Sequence, residues 1–437
     1  MQGNREELAT LVKNTTLPGR KLQLWGVYHK AHVVADVQRD HAGSDPESQR
    51  MHAARVTAAS DTLGEVDEEM AFMYQRAGMT GKPFTAADVD ALIERKDAEH
   101  AMEMKYGINF TTDGGARANG THMDWSKAEL DTIDKTLSPM PADHRSAVTE
   151  FHRQEHVYWD AAKTQEIGAE ATGTKVLMPD QATSTGPWAG EHRQMAAPAL
   201  GSNISWMEWV TTHELGHIVS NKYAALEQKY EQINGWQSYD QGTPNLTAAD
   251  KATLDAKRNN RFDNRATVDK DGKTYEIDQS GPGYISHTQG SLPGPGEAVP
   301  MDDGTADPWS YAETRGYEQF AEHYDRAIHV PEKVYKDMVE NPHLATQRAQ
   351  QALAAATTDA DRQKAQQALD AALRVENVRK QSYDLMRNDV FGTDKAQAAA
   401  EARLAARGVD PAKIAVFRER AAAASTPEQI DVLEKTF

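Results

Sequence analysis

Apolar residues recur at intervals of three and four along much of this chain, and the elements that they predict are mostly helices. In the first 104 residues, "VTAASDTLGEVDEEMAFMYQRAG" and "TAADVDALIERKDAEHAMEMKYG" both show this spacing between polar breaks. Further along, Leu130, Ile133 and Leu137 mark one face of a helix that Pro139 and Pro141 should end. The pattern therefore predicts a mainly α-helical protein.

Strand patterns are fewer and shorter. "TKVLMP" is a short apolar run that predicts a strand, and "VDKDGKTYEID" places a Lys-Asp-Gly-Lys turn between β-branched and aromatic residues, which predicts a hairpin. The following "GPGYISHTQGSLPGPGEAVPMDDGTADP" is predicted to be a loop, because Gly and Pro are frequent in it. We therefore expect an α+β fold, mainly α with a small sheet.

The chain becomes rich in Ala and Gln after Val330. "AQQALAAA" and "AQQALDAA" predict two helices separated by "TTDADR", where Thr358 to Asp361 resembles a capping box, and "STPEQIDVLEKTF" is also helical in pattern. We expect these helices to form a solvated hairpin that packs on the rest of the protein. A role in partner binding or delivery is the alternative.

Composition excludes several classes of function. The 437 residues carry 48 basic and 66 acidic side chains, a net charge of -18, so no basic surface for nucleic acid is expected. No apolar run reaches the roughly 20 residues of a membrane span, and "MQGNREELATLVKN" lacks the features of a secretory signal. We expect a soluble protein without a Sec signal. Because cysteine is absent, a metal would be bound by His, Asp or Glu.

The segment "WVTTHELGHIVSNKY" carries the clearest chemistry. His213 and His217 are four residues apart, with Glu214 beside the first, and the preceding "SWME" has the pattern of a capping box that starts a helix at Trp206. Two histidines one turn apart can bind one zinc ion, at about 2.0 to 2.1 Å. A buried helix with two hydrogen-bonded histidines would have the same sequence, so the prediction of a zinc site needs a third ligand.

A third ligand is available in "SYAETRGYEQFAEHYDRAI". The apolar positions of this segment have helical spacing and are Tyr317, Phe320, Ala321, Tyr324 and Ile328. Glu318 and Glu322 lie together on the flank of that helix, so either carboxylate can point at the first helix if the two helices pack side by side. The nearby histidines His287, His323 and His329 are not assigned to the metal, because isolated histidines usually have other roles.

"YAETRGYEQFAE" resembles the second motif of the gluzincin group that contains anthrax toxin lethal factor and Pro-Pro endopeptidase. In that group a tyrosine precedes the ligand glutamate by seven residues. The resemblance implies a zincin-like catalytic domain over roughly residues 105–345, with Glu318 as the third zinc ligand. It also implies that Tyr311 faces the substrate carbonyl and that Glu322 supports the ligands.

The spacing between the two motifs departs from the compact members of this group. The 100 residues between His217 and Glu318 predict an inserted subdomain or lid at about residues 224–306. Helical regions at residues 1–104 and 346–437 would then flank the catalytic domain.

Two other zinc-peptidase patterns match the chain less well. The metzincin extension is excluded, because Ser220 and Tyr223 occupy the positions of its glycine and third histidine. "GTADPWSYA" is close to the aspzincin signature, which would make Asp307 the third ligand, although Tyr311 falls one residue too late for it. Asp307 before a proline is also a natural helix N-cap. Glu318 is the preferred ligand.

These residues together predict a zinc-dependent endopeptidase that acts on proteins or peptides. Zn²⁺ would activate a water molecule, Glu214 would act as the general base, and Tyr311 would donate a hydrogen bond to the developing oxyanion. The resemblance further implies an exported bacterial effector or toxin, secreted or injected by a specialised apparatus. The alternative is a non-catalytic structural or cargo protein with a vestigial zinc site.

Overall fold

The computed structural model describes residues 2–113, 124–158, 167–182, 204–234, 237–238, 267–270, 273–277, 283–288, 316–340 and 344–437. Most of these residues are helical, which confirms the prediction of a mainly α fold. The chain forms two compact units, one of residues 1–138 and 142–189 and the other of residues 139–141 and 190–437. The three regions predicted along the sequence stay a prediction.

The first unit begins with a group of long helices. They are α1 (Gln2–Asn14), α2 (Pro18–Arg39), α3 (Pro46–Thr80) and α4 (Ala86–Tyr106). Their apolar faces meet around Trp25, with Leu22, Val66 and Leu92 in the same buried cluster. Helical spacing predicted this region correctly, because a stripe of apolar residues on each helix is what a helical core requires.

A four-stranded sheet follows in the same unit. Its strands are β1 (Asn109–Thr112), β2 (Glu150–Gln154), β3 (Glu170–Thr172) and β4 (Lys175–Pro179), and α5 (Lys127–Leu137) and the short α6 (Ala142–Arg145) lie between β1 and β2 in the sequence. The order is β1-β2-β4-β3, with β1, β2 and β4 parallel and β3 antiparallel to β4. Phe110 and Phe151 are register partners and stack at 5.6 Å. The strand predicted at "TKVLMP" and the helix that ends before Pro139 are confirmed.

The second unit contains the two helices that carry the motifs. Its first described helices are α7 (Trp206–Lys222) and α8 (Ala224–Ile233). Helices α9 (Gly316–His329) and α10 (Pro331–Tyr335) come later in the chain, with a π-helical turn at Lys336–Glu340. Among the described helices of the chain, none combines the length and the apolar composition that a membrane span needs.

A second, antiparallel sheet lies between the two motifs in the sequence. Its strands are β5 (Gln237–Ser238), β6 (Thr267–Lys270), β7 (Lys273–Ile277) and β8 (Gly283–Thr288), in the order β5-β8-β7-β6. The predicted hairpin is confirmed, because Lys270 pairs with Lys273. The prediction of a loop was wrong for Gly283–Thr288, which pairs with β7. The Tyr-Ile-Ser-His-Thr run there can adopt extended structure, and its nonlocal partner strand outweighs the flanking glycines.

The C-terminal helices pack around their own core and also contact α9. They are α11 (Leu344–Ala355), α12 (Asp359–Asp384), α13 (Thr393–Ala406), α14 (Pro411–Ala421) and α15 (Pro427–Glu434), with a π-helical turn at Leu385–Val390. Thr358 caps α12 as predicted. The ring of Phe391 stacks on Tyr324 of α9 at 5.0 Å, and the Gln429 amide donates to the carbonyl of Ile328 at 3.1 Å. These contacts hold α9 at its side and at its C-terminal end.

Candidate metal centre

Helix α7 begins where the sequence predicts and is buried on almost every side. The Ser205 hydroxyl accepts from the backbone N–H of Glu208 at 3.2 Å, and the Glu208 carboxylate accepts from the backbone N–H of Ser205 at 2.8 Å. This reciprocal capping box satisfies two N–H groups that the first turn leaves without helical partners. Residues 207–208 and 210–220 are all buried, so the motif lies inside the unit.

Gly216 allows α7 and α9 to approach very closely. A Cβ atom added at this position would lie 2.9 Å from the Cα of Ala321 in α9 and 3.3 Å from its carbonyl oxygen. Real side chains do not make such contacts with backbone, so only glycine fits here without a shift of one helix. The close approach brings side chains from the two helices within reach of one another.

The two motif histidines and Glu318 meet between these helices. The Nε2 of His213 lies 2.9 Å from a Glu318 carboxylate oxygen, and the Nε2 of His217 lies 3.2 Å from that same oxygen. The two Nε2 atoms are 3.1 Å apart. Two ligands of a tetrahedral zinc ion, each about 2.0 to 2.1 Å from it, are roughly 3.3 Å apart. The three atoms therefore have the spacing of ligands to one small cation.

The electrostatics of the group favour a charged carboxylate. Burial raises the pKa of Glu318, but His217 and His213 outweigh it and hold that pKa well below its usual range. Burial lowers the pKa of His213, and hydrogen bonds to Glu318 and Glu322 outweigh it and raise the pKa. A single proton can join two of the three converging atoms, whereas one cation can contact all three. These residues could hold a metal ion.

Glu322 contacts the other ring nitrogen of His213. Its carboxylate oxygen lies 3.2 Å from His213 Nδ1, and its second oxygen accepts from the Arg326 guanidinium at 3.2 Å. A carboxylate at this nitrogen fixes the ring orientation and directs Nε2 toward Glu318. Glu322 thus lies against the Nδ1 side of His213, and Arg326 stabilises its charge.

Several buried polar residues around the centre were not predicted from the sequence. Thr212 lies next to His213 in α7, and its hydroxyl is 2.7 Å from His329 Nε2. His329 Nε2 is also 3.5 Å from an Asp325 carboxylate oxygen. The spacing of four residues in the pairs Glu322–Arg326 and Asp325–His329 was a usable signal for these contacts. Nothing in the sequence indicated that Thr212 meets His329.

The histidine that follows Glu322 has a different environment. His323 Nδ1 lies 3.1 Å from the Tyr230 hydroxyl, and burial and the Arg326 charge lower the pKa of His323 to about 3. A neutral, hydrogen-bonded imidazole is the ordinary role of a core histidine. His323 does not belong to the converging group.

The other residues predicted from the sequence lie in helix α7, in strand β8 or outside the described residues. Glu214 is in α7 directly after His213 and is buried. His287 is in strand β8. Tyr311 and Asp307 lie outside the described residues, as does much of the region between the motifs. The structure thus brings together His213, His217, Glu318 and Glu322.

Comparison of the chain with protein-family models, with curated proteins and with solved structures gave no match. The functional assignment therefore depends on the geometry of this centre and on the motifs.

Proposed function

We propose that this protein is a zinc-dependent endopeptidase that hydrolyses peptide bonds in protein or peptide substrates. One observation carries the proposal. His213 and Glu318 are 105 residues apart in the sequence, yet their donor atoms and that of His217 lie within 2.9 to 3.2 Å of one another. Two histidines and one glutamate are the ligand set of a major class of catalytic zinc sites.

The residues of the centre fit the chemistry of a hydrolase. A zinc ion bound there supplies a Lewis acid that lowers the pKa of water toward roughly 7. Glu214, adjacent to His213 and buried, takes the proton of the attacking water and passes it to the leaving amine. Tyr311 donates a hydrogen bond to the substrate carbonyl as negative charge develops there.

The proposed domain is zincin-like, of the gluzincin type. Three features support it. Helix α7 carries the two histidines and Glu214, helix α9 with its glutamates packs against α7 at Gly216, and the Glu322 carboxylate lies at Nδ1 of His213. A delivered bacterial effector or toxin is part of the proposal, and it is supported only by the resemblance of the two motifs.

Metal content and hydrolysis of an unfolded protein separate the roles of two glutamates. We expect Glu214→Gln to retain zinc and to lose turnover by about 10² to 10⁴-fold, because it removes the base and leaves the ligands. Glu318→Ala should lose both zinc and turnover. The protein is purified without added metal, and zinc is measured by elemental analysis on folded samples.

Glu332→Gln is the matched control, since Glu332 is exposed in α10 and should affect neither quantity. Equal zinc retention in Glu214→Gln and Glu318→Ala would refute the ligand assignment. A wild-type chain that binds zinc and hydrolyses no substrate would favour the non-catalytic alternative.

A further inference from the structure

A second group of metal-binding side chains lies in the first unit, between helices α2 and α4. His32 and Asp36 are one turn apart on α2, and His100 is on α4. His100 Nε2 lies 3.2 Å from one Asp36 carboxylate oxygen, and His32 Nε2 lies 3.4 Å from that same oxygen. One donor atom from each residue falls within 4.8 Å of the other two.

We propose that His32, Asp36 and His100 form a second site for a divalent metal ion of the zinc type. Two imidazoles and one carboxylate are a donor set that zinc and similar ions prefer. The two contacts to Asp36 match the roughly 3.3 Å that separates two ligands of a tetrahedral zinc ion. The site is independent of the proposed peptidase centre, because all its residues belong to the first unit.

The surroundings of His100 resemble those of a metal ligand. Its other ring nitrogen, Nδ1, lies 3.9 Å from a Glu103 carboxylate oxygen, and Glu103 accepts a hydrogen bond from the Thr62 hydroxyl at 3.0 Å. A carboxylate near the second nitrogen of a histidine ligand orients the ring and increases its basicity. In the first centre the corresponding carboxylate, Glu322, lies closer to its histidine, at 3.2 Å from His213 Nδ1.

The exposure of the three side chains allows an ion to enter. His32 and Asp36 expose 35% and 19% of their side chains, whereas His100 exposes 4%. The site is therefore anchored on the buried side and open toward solvent through His32. A metal ion there would join α2 to α4 and stabilise the helical core of this unit, because it binds the folded chain alone.

A proton is the competing occupant. Burial lowers the pKa of His100, but Glu103 and Asp36 outweigh it and raise the pKa. The other oxygen of Asp36 also pairs with Arg39, which reduces the negative charge at the site. A protonated His100 would satisfy the His100–Asp36 contact without a metal, so the experiment must distinguish the two occupants.

Zinc binding is measured in a full-length chain that lacks the first centre. In a His217→Ala/Glu318→Ala background, we expect about one zinc ion per chain by competition with a chromogenic chelator. Adding His32→Gln should abolish that binding. His32 is partly exposed, so this change should leave the helical circular dichroism spectrum intact.

His52→Gln in the same background is the matched control. His52 Nδ1 lies 2.9 Å from Asp40, exposes 31% of its side chain, and shares that aspartate with Arg55 at 2.8 Å. No third ligand from the described residues joins this pair, so zinc binding should be unchanged. Zinc binding that is equal in the His32 and His52 variants would overturn the proposal.

Crystallography can test zinc binding at the second site without any substitution in that site. Crystals of the background protein soaked in zinc should show an anomalous peak between α2 and α4, about 2.0 to 2.2 Å from the three donor atoms. No peak at that position, or no zinc bound by the background protein, means that a proton alone occupies the site. In a chain with an intact first centre, His32→Gln should remove only the second zinc ion and leave zinc binding at the proposed peptidase centre unchanged.

Discussion

Each residue of the first centre has a role that depends on which atom it presents to its neighbours. Glu318 directs an oxygen at both Nε2 atoms, whereas Glu322 contacts His213 from behind, at Nδ1. The two glutamates are one helical turn apart, so helical spacing alone did not separate them, and the resemblance of the second motif favoured Glu318 as the ligand. Their different contacts predict different effects on metal affinity.

Glu322→Gln should weaken zinc binding by about 10 to 100-fold and leave its stoichiometry unchanged, because the three ligands remain while their orientation is less well fixed. The change also removes the carboxylate charge that pairs with Arg326, so thermal stability should fall. Zinc affinity is measured by chelator competition, with exposed Glu332→Gln as the control. An affinity equal to that of the wild type would contradict the assigned role of Glu322.

At the scale of elements, the close packing of α7 on α9 decides whether the two motifs can cooperate. Ala321, which contacts Gly216, lies between Glu318 and Glu322 on the helix that carries both. A displacement of α9 at this point would move both carboxylates away from the histidines. Gly216 is therefore expected to be necessary for the site although it presents no ligand.

Gly216→Ala should destabilise the protein by about 1 to 3 kcal/mol through overpacking, and it should weaken zinc binding as well. Unfolding by urea in the presence of a chelator measures the stability effect separately from metal binding. Gly64→Ala in α3 is the matched control, because a Cβ at Gly64 meets no atom within 4 Å. The control should be neutral or more stable by up to about 1 kcal/mol. A Gly216→Ala protein that keeps wild-type zinc affinity would show that the metal site does not depend on the close packing of α7 on α9.

The C-terminal region also contacts α9, the helix that carries Glu318 and Glu322. Phe391 stacks on Tyr324 of α9, and the Gln429 amide donates a hydrogen bond to a carbonyl at the end of the same helix. The carbonyls of the last turn of a helix need such partners. This region therefore supports the centre structurally, whatever further role it has.

At the scale of the whole molecule, buried charges should make stability depend on pH. In the first unit, Lys96 contacts Glu65 at 2.9 Å and Glu99 at 3.0 Å, and Glu69 lies close to this network. Burial, followed by the charge of Asp124, raises the pKa of Glu69 to about 7 from an ordinary value of 4.5. The folded state therefore holds a proton at Glu69 that the unfolded chain releases at lower pH.

A raised carboxyl pKa contributes stability that is present below about pH 4.5 and is lost as pH rises to about 7. Glu69→Gln should remove this loss, since the amide does not titrate. We expect the decrease in unfolding free energy between pH 5 and pH 8 to be smaller in the variant, by up to about 3 kcal/mol at 1.4 kcal/mol per pKa unit.

Denaturant unfolding at the two pH values measures the difference. Glu68→Gln removes the same charge from the neighbouring, exposed position of α3, so it tests whether the high net charge of -18 alone causes the effect. Parallel pH profiles of Glu69→Gln and the wild type would exclude Glu69 as the group responsible.

Local patterns in the sequence determined most of the helices and their beginnings. Apolar spacing located α3, α4 and α5, and the capping residues Ser205 and Thr358 marked where two helices begin. These features depend on residues within one or two turns of each other, so they can be predicted from the sequence without knowledge of the tertiary structure. Strand β8 was missed because its extended structure depends on pairing with β7 rather than on its own glycine-flanked sequence.

The sequence by itself also named His213 and His217 as candidate ligands with Glu318 or Glu322, since the type and spacing of residues within each motif are local, and the resemblance favoured Glu318. Only the tertiary structure decided that Glu318 rather than Glu322 shares an oxygen with both histidines, and that His32, Asp36 and His100 converge although His100 belongs to no motif. The physical reason is that a contact across 64 or 105 residues depends on how helices pack. That packing depends on side-chain volume at places such as Gly216 and Ala321, which no local pattern reveals.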